Sequence, residues 1–319
     1  MKHLFVLNPV AGGVRRNHKE THDRIDTFMA RTGEAYEIYE TVAPMDAAEK
    51  VKREAICGRQ LRVYACGGDG TLSECVHGGA GYSNVSVTHY PCGTGNDFIK
   101  TFGEDTELFW DLDALINGFS YPLDIIDVNG RRCLNIASVG IDARIGTDVH
   151  KYSRLPVIGG SAGYVTSLVV NFIKGINQNM RITGEGRSFC GKSALMCACN
   201  GRFYGGGFNP VPTAQPDDGL LDFLVVGKVS RLKAAALLGK YSRGEYEKLP
   251  ELITHFQGRR LTVESDTEFC VNIDGEILRT KAAHMRLVPK GVNFVFPKGT
   301  RFFELREKKN EENGRKTII

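Results

Sequence analysis

The sequence predicts an α/β protein in which an N-terminal doubly wound parallel sheet is followed by a second, β-rich domain with a sandwich architecture. In the first part of the chain, short apolar runs alternate with stretches of helical periodicity, a pattern typical of βαβ units around a parallel sheet. Two of these runs lead into glycine-rich turns, at Gly67–Gly70 and at Gly93–Gly95. From Leu123 onward most apolar runs are separated only by turn residues, which favours a sandwich.

Four strands and four helices are predicted in the N-terminal part. The strands are His3–Leu7, Tyr36–Thr41, Leu61–Cys66 and Asn84–Tyr90. The helices are Arg15–Arg31, Met45–Ile56, a helix that starts with Leu72–His77, and Glu107–Asn117. Asn8-Pro9, followed by Gly12-Gly13, is a turn signal after the first strand. This alternation places one domain in residues 1–122.

The second part of the chain is predicted to consist mainly of strands. They are Leu123–Val128, Cys133–Val139, Ser193–Cys199, Leu220–Val226, Leu261–Glu264, Phe269–Ile273 and His284–Val288. Two helices, Ser161–Ile176 and Arg231–Tyr241, interrupt the series. A second domain is therefore placed in residues 123–290, and the last run, Val292–Phe296, fits either domain. Glu304–Ile319 is dense in Lys, Glu, Arg and Asn and is predicted to be a solvated tail.

Length and composition are those of an ordinary globular protein. The 319 residues favour two domains, and the hydrophobic fraction of 42% is enough for each to form a core. A net charge of +4 does not indicate a dedicated nucleic-acid-binding protein. Nine cysteines, an odd number without a CxxC pair, favour a reducing cytosol. We expect neither a signal peptide nor a membrane-spanning helix, because Leu155–Ile176, the longest apolar stretch, is interrupted by glycines, Asn171 and Lys174.

The turn Gly67-Gly68-Asp69-Gly70-Thr71 has the composition of a phosphate-binding loop. Its glycines allow sharp turning and close approach of an anion to backbone N–H groups, and the following helix directs its positive N-terminal end at the loop. Asp69 would repel a phosphate unless a metal ion, a sugar hydroxyl or a proton in transfer lies between them. The loop therefore indicates nucleotide chemistry, although an ordinary βα turn with an Asp helix cap has the same local sequence.

A second glycine-rich turn, Gly93-Thr94-Gly95-Asn96-Asp97, follows the next strand. Turns at the ends of successive parallel strands lie side by side, at the edge of the sheet where ligands bind. Together the two turns resemble the catalytic domain of the diacylglycerol kinase and sphingosine kinase superfamily, in which GGDGT is followed by GTGNDF at this spacing. The resemblance is greatest to the small soluble bacterial lipid kinases of the diacylglycerol kinase type, and it extends over nearly the whole chain. It implies that residues 291–319 return to pack on the N-terminal domain.

The resemblance implies an ATP site at these loops. The implied contacts are Asn8, Thr41, Gly67, Gly68, Asp69, Gly70, Thr71, Leu72, Ser73, Thr94 and Asp97. Asp69 would lie beside the phosphates or their metal ion, and Asp97 near the same cleft. The family has Asn where this chain has Ser73, which can still donate a hydrogen bond, so this departure weakens one contact.

A third motif, Asp274-Gly275-Glu276, ends the apolar strand Val271–Ile273. Locally it is equally compatible with a β-turn that carries solvated acids. The resemblance implies that one of the two acids accepts the proton of the substrate hydroxyl as a general base. Glu276 is favoured, and Asp274 is a near-equal candidate or a metal-linked partner. On an extended strand both side chains would point to the same side.

The segment Pro212–Asp222 resembles the structural metal loop of the same lipid kinases. The implied Mg²⁺ ligands are the carboxylate of Asp218 and the backbone carbonyls of Gln215 and Leu220, with Asp124 linked through water. Such oxygen ligands suit a hard cation. From local sequence alone, Asp217-Asp218-Gly219 is a common turn.

These observations predict an ATP- and Mg²⁺-dependent lipid kinase. Conversion of diacylglycerol to phosphatidic acid in phospholipid biosynthesis is the favoured reaction, and a different hydroxylated lipid is left open as the substrate. Its expected partners are ATP and a lipid substrate at the membrane surface, with no nucleic acid; the sequence leaves the oligomeric state open, with a homodimer as one expectation. The expected location is cytoplasmic, peripheral to the inner face of the membrane. Apolar side chains of Ser161–Lys174 could contact acyl chains, although core packing is the more general use. The alternatives are an NAD kinase, which shares GGDGT, and a non-catalytic lipid- or nucleotide-binding regulator.

Overall fold

The computed structural model describes residues 1–9, 11, 18–140 and 176–308. Several predicted features fall outside these residues. They are Gly12-Gly13, the apolar side chains of Ser161–Lys174, nearly all of the predicted helix Ser161–Ile176, and the end of the predicted tail.

The N-terminal half is a parallel sheet with helices on both faces. Its strands are β1 Lys2–Leu7, β2 Tyr36–Glu40, β3 Leu61–Gly67 and β4 Val85–Pro91, and its helices include α1 His18–Thr32, α2 Asp46–Ile56 and α3 Asp69–Gly79. The strand order is β2-β1-β3-β4, with every neighbouring pair parallel. Because crossovers are right-handed, this order places α1 on one face and α2 with α3 on the other, and α2 and α3 pack against each other. The predicted doubly wound sheet is confirmed.

The connection after β4 differs from the predicted helix Glu107–Asn117. Residues Phe98–Trp110 form a 3-10 helical stretch that is interrupted at Gly103, and α4 spans Leu112–Ile116. Asp111 starts α4 by accepting hydrogen bonds from the N–H groups of Asp113 and Ala114, at 2.9 and 3.3 Å. The predicted single helix is therefore wrong, because a capping residue lies in its middle.

The remaining strands form the β-rich half. They are β5 Phe119–Val128, β6 Arg131–Cys133, β7 Ile136–Gly140, β8 Gln178–Gly184, β9 Arg187–Cys199, β10 Leu221–Gly227, β11 Ile253–Gly258, β12 Arg260–Ile273 and β13 Glu276–Phe296; α5, Arg231–Ser242, lies between β10 and β11. The sequence did not predict β8 or β11, which have few buried apolar residues. Alternate residues of β9 belong to two hydrophobic clusters, Met196 and Ala198 to one, Leu195 and Cys197 to the other. The sheet is thus covered on both faces, and the predicted sandwich-like second half is confirmed.

Strand β13 joins the two halves. Its first part pairs antiparallel with β12, and its last part lies parallel to β4 at Asn293–Phe294. Val292, Phe294 and Phe296 belong to the same buried cluster as β1 and β3. The end of the run predicted as Val292–Phe296 therefore extends the N-terminal sheet.

Residues 302–308 are helical, which corrects the prediction that a solvated tail begins at Glu304. Phe302 and Phe303 pack against the N-terminal cluster. Arg306 pairs with both carboxylate oxygens of Asp217 in the β-rich half, at 2.5 and 2.8 Å. The lysine- and glutamate-rich composition from Glu304 onward hid the anchoring role of Arg306.

Candidate active site

The ends of the parallel strands bring the predicted loops together. The N–H of Thr41 donates to the carbonyl of Leu7, and the N–H of Asn8 to that of Cys66, at 2.9 and 3.1 Å. Strands β1, β2 and β3 therefore present Asn8, Thr41 and the Gly67–Gly70 loop at one edge, as expected for a parallel sheet.

The two glycine-rich loops are in direct backbone contact. The N–H groups of Cys92 and Gly93 both donate to the carbonyl of Gly67, at 2.8 and 3.0 Å. A Cβ atom on Gly93 would lie 2.4 Å from Cα of Gly68, which no side chain could tolerate. Glycine at 93 is thus required for the approach of the loops, and Thr94 is exposed at the tip of the second loop.

The first turn of α3 offers backbone N–H groups at the glycine-rich loops. Thr71, Leu72 and Ser73 have buried side chains, and the hydroxyl of Thr71 accepts a hydrogen bond from the Asn8 side-chain amide at 3.3 Å. Gly68 caps the helix without a side-chain hydrogen bond. The N–H groups of the first turn are left without an intrahelical acceptor, so an anion would meet backbone donors here.

Asp69 ties the two loops together. One of its carboxylate oxygens accepts hydrogen bonds from the N–H groups of Asp97 and Phe98, at 2.6 and 3.2 Å. Burial, followed by the negative charge of Asp97, raises the pKa of Asp69 from 3.8 to about 7. Asp274 also contributes to this rise, which places a third carboxylate near the first two.

Asp97 connects the N-terminal half to the β-rich half. It is buried, pairs with Nζ of Lys100 at 2.6 Å, and accepts a hydrogen bond from the N–H of Gly206 at 2.7 Å. Gly206 has a φ of +85°, a conformation that favours glycine. Sequence reasoning missed Lys100 and Gly206 as site residues, although the three consecutive glycines at 205–207 were a visible signal for a loop with unusual backbone angles.

Asp274 and Glu276 have different environments. Asp274 lies in a turn with a φ of +48°, so the expectation that it stands on an extended strand with Glu276 is wrong. Its carboxylate accepts hydrogen bonds from the N–H groups of Leu134 and Ile136, each at 2.8 Å, and from that of Asn135 at 3.2 Å. Desolvation by burial still raises the pKa of Asp274. Asp274 is therefore occupied in holding the start of β7.

The Glu276 side chain lies beside the first turn of α3. A Cβ atom built on Gly70 would be 3.9 Å from Oε1 of Glu276. Burial, with a contribution from the charge of Glu276, raises the pKa of the nearby Glu74. Among the residues that the structure describes, no hydrogen bond or ion pair to the Glu276 carboxylate is observed. Of the two candidate bases, only Glu276 keeps its lone pairs available at the edge of the sheet where the glycine-rich loops lie.

The predicted metal loop is shaped by Asp124. The carboxylate of Asp124 is buried and accepts hydrogen bonds from the N–H groups of Gly219 and Lys290, each at 2.8 Å. Asp124 also donates its own N–H to the carbonyl of Pro216 at 2.7 Å. It therefore fixes the turn that contains Asp218.

The loop carries an excess of negative charge. Desolvation raises the pKa of Asp218 to about 6, and the neighbouring acids Asp222, Asp124 and Asp217 add to the rise, while the N–H of Leu220 opposes it. Within the described parts of the chain, no group of three or more His, Cys, Asp or Glu side chains is arranged to bind a metal. The predicted ligands are one carboxylate and two backbone carbonyls, so a search for three or more such side chains does not test them. Its oxygen donors and surplus charge fit a hard divalent cation.

None of the helices among residues 1–9, 11, 18–140 and 176–308 is long and apolar enough to cross a bilayer.

The fold and the site define a class. A parallel sheet with two glycine-rich loops, faced by carboxylates from a β-rich half, is the arrangement of an α/β protein that can bind phosphate groups at the ends of its strands. Residues 2–128 match the diacylglycerol kinase catalytic domain, and residues 135–296 match the YegS C-terminal NAD kinase beta sandwich-like domain. The chain belongs to the diacylglycerol kinase/YegS family of lipid kinases.

Individual relatives agree with this assignment. The chain is 29% identical to a protein of Shewanella frigidimarina named "Probable lipid kinase YegS-like", over 76% of this chain and 79% of that protein. It is 26% identical to a diacylglycerol kinase of Staphylococcus carnosus, over 94% of this chain and 97% of that protein. Among solved structures, a diacylglycerol kinase from Bacillus anthracis has the same fold, with a TM-score of 0.67 and 22% identity over 94% of this chain and 98% of that one.

Proposed function

We propose that the protein is an ATP- and Mg²⁺-dependent kinase that phosphorylates the hydroxyl of diacylglycerol to give phosphatidic acid. The observation that carries the proposal is the position of the Glu276 carboxylate, next to Gly70 in the first turn of α3. A general base must lie within reach of the phosphate-binding loop, because the acceptor hydroxyl has to be in line with the γ-phosphate. Family membership supports ATP as the phosphate donor.

In the proposed reaction, ATP binds at the loop edge formed by Asn8, Thr41, the Gly67–Ser73 segment, Thr94 and Asp97. Backbone N–H groups of the first turn of α3 would hold its phosphates. The lipid oxygen forms a bond to the γ-phosphorus as the bond from that phosphorus to the bridging oxygen breaks, and ADP leaves. Glu276 accepts the hydroxyl proton. Asp274 holds the start of β7 with both of its carboxylate oxygens, and Asp69 joins the two loops through the one oxygen that accepts the N–H groups of Asp97 and Phe98.

A structural Mg²⁺ would be held by Asp218, the carbonyls of Gln215 and Leu220, and Asp124 through water. When bound, such an ion would neutralise the surplus negative charge of this loop and keep its shape. The domain division also remains a proposal: residues 1–122 with 291–319, and residues 123–290. The protein would act from the cytoplasm at the inner face of the membrane, as a monomer or a homodimer.

The test is transfer of labelled γ-phosphate from ATP to diacylglycerol, sphingosine, undecaprenol and NAD in mixed micelles with Mg²⁺. We expect labelled diacylglycerol. Glu276→Gln should lower kcat by about a hundredfold to ten-thousandfold without loss of ATP binding, as for removal of a general base. Glu268→Gln is the matched control and should have no effect, because Glu268 is an exposed acid within β12.

Other outcomes would change the assignment. Label on NAD alone would make the chain an NAD kinase. ATP binding without transfer to any acceptor would favour a non-catalytic regulator. Full activity in Glu276→Gln, with loss in Asp274→Asn, would move the base to Asp274.

A further inference from the structure

His89 is a fully buried histidine that the proposed reaction does not use. It lies near the end of β4, Val85–Pro91, and its exposed fraction is 0%. Val85 and Val87, which precede it on the same face of the strand, belong to the hydrophobic core. Apolar packing alone therefore does not explain an imidazole at this position.

One ring nitrogen of His89 reaches the first glycine-rich loop. Nε2 lies 3.0 Å from the carbonyl oxygen of Gly67. Ala65 is the partner of His89 in the parallel ladder, so the ring extends along β3 to the residue two positions further on. Because a carbonyl cannot donate, Nε2 carries the proton and donates it. The imidazole is neutral, since complete burial lowers the pKa of His89 to about 4.

The other ring nitrogen of His89 has no partner. With the proton on Nε2, Nδ1 is an acceptor, and among the residues that the structure describes no donor reaches it. A buried acceptor without a donor lowers the stability of the folded protein. The carbonyl of Gly67 does not depend on the imidazole, because it also accepts the N–H groups of Cys92 and Gly93. The hydrogen bond from His89 to Gly67 therefore needs a reason other than stability.

This hydrogen bond fixes the orientation of the peptide group between Gly67 and Gly68. Two successive glycines leave the backbone many accessible conformations, and three donors on one carbonyl oxygen remove that freedom at this peptide. The peptide is trans, so its N–H points away from the side on which its carbonyl is held. Within the described ranges of the chain, no acceptor of the Gly68 N–H is observed. This donor is therefore held in one direction and available to an anion at the edge of the sheet.

We propose that His89 is a positioning residue for nucleotide binding: through its hydrogen bond to the Gly67 carbonyl, it holds the Gly68 N–H in the direction of a phosphate of ATP. This role rests on the proposed function, which places ATP at these loops. His89 acts through the loop and touches neither substrate. Because the Gly68 N–H would contact phosphate equally in the ground state and in the transition state, its misplacement should raise KM for ATP and leave kcat nearly unchanged.

The test compares three variants of the full chain. His89→Leu removes the donor, and His89→Gln keeps an amide N–H near the position of Nε2. His3→Leu is the matched control, because His3 is equally buried but lies at the opposite end of the parallel strands, where its two ring nitrogens have Tyr64 and Glu34 as partners. Calorimetric titration without lipid gives Kd for ATP, labelled phosphate transfer to diacylglycerol gives KM and kcat, and urea unfolding gives stability.

We expect the two leucine variants to behave in opposite ways. His89→Leu should raise Kd and KM for ATP about tenfold, as for the loss of one hydrogen bond, with kcat within about twofold of the unaltered protein and an undiminished urea midpoint. His3→Leu should lower the urea midpoint, because it leaves the buried Tyr64 hydroxyl without its partner, and should keep the affinity for ATP. His89→Gln should bind ATP nearly as tightly as the unaltered protein.

Four other results separate this inference from the proposed function. Binding of ATP by His89→Leu as tight as that of the unaltered protein would overturn the role of His89. A loss of affinity shared by His89→Gln, or a urea midpoint of His89→Leu as low as that of His3→Leu, would overturn it as well and make His89 a residue of the core. Failure of the unaltered protein to bind ATP would refute the proposed function, and the role of His89 with it. ATP binding without transfer to diacylglycerol would refute the lipid reaction alone, and the three Kd values would still decide the role of His89.

Discussion

Replacing Asp69 by asparagine should stabilise the protein at alkaline pH. The carboxyl group sits between the two glycine-rich loops, and its pKa is raised from 3.8 to about 7 by burial and by the charge of Asp97. Because the folded-state pKa lies above the unfolded value, the unfolded chain loses this proton first as the pH rises. The group therefore makes the folded state progressively less stable between pH values of about 4 and about 7.

The size of the effect follows from the shift in pKa. Each unit corresponds to about 1.4 kcal/mol, so the ionised carboxyl costs up to about 4 kcal/mol above the folded pKa and about 1.5 kcal/mol at a pH near 5. Asparagine keeps an oxygen that can accept the N–H groups of Asp97 and Phe98, and it carries no charge. The advantage of Asp69→Asn in free energy of unfolding should accordingly grow by about 2 to 3 kcal/mol from a pH near 5 to a pH near 8.

Urea unfolding of both proteins at the two pH values, without nucleotide, measures this difference. Asp266→Asn is the control, because Asp266 is an exposed acid on β12 whose replacement removes the same charge. The difference in free energy of unfolding between Asp266→Asn and the unaltered protein should be the same at both pH values. An Asp69→Asn protein with the same stability difference at both pH values would refute the assignment of a proton to this carboxyl group.

Three further changes test other parts of the structure. Gly93→Ala places a Cβ atom 2.4 Å from the backbone of Gly68, so we expect a loss of about 1 to 3 kcal/mol in free energy of unfolding and weaker ATP binding, measured by urea unfolding and by calorimetric titration; unchanged values for both would contradict the close approach. Asp274→Ala leaves three backbone N–H groups without their acceptor and should lower the melting temperature by several degrees, whereas Asp274→Asn should lower it less. Arg306→Met leaves Asp217 unpaired beside Asp218 and should lower the free energy of unfolding by about 2 kcal/mol. Added Mg²⁺ should restore part of this loss, measured in a thermal melt. A variant as stable as the unaltered protein would show that the pair of Arg306 with Asp217 does not hold the loop.

The sequence alone determined the order of elements at the loop edge. The buried strand β3, the turn Gly67–Gly70 and helix α3 follow each other in the chain, and each is specified by local properties: apolar runs, glycine conformations and helical periodicity. The same local signals gave the second loop and the β-rich character of the rest. They failed where a short polar residue decides a boundary, as at Asp111, and in strands with few buried residues, as in β8.

Tertiary structure decided which of the predicted residues are available for chemistry. Sequence could not distinguish Asp274 from Glu276, because the difference arises from backbone N–H groups about 140 residues away, at Leu134–Ile136. Nor could it show that Asp97 meets Gly206, or that Arg306 crosses to Asp217, since these contacts form only when distant segments pack together. A local pattern fixes the conformation of the residues that carry it, whereas the solvation and partners of a carboxylate depend on whatever the fold places beside it.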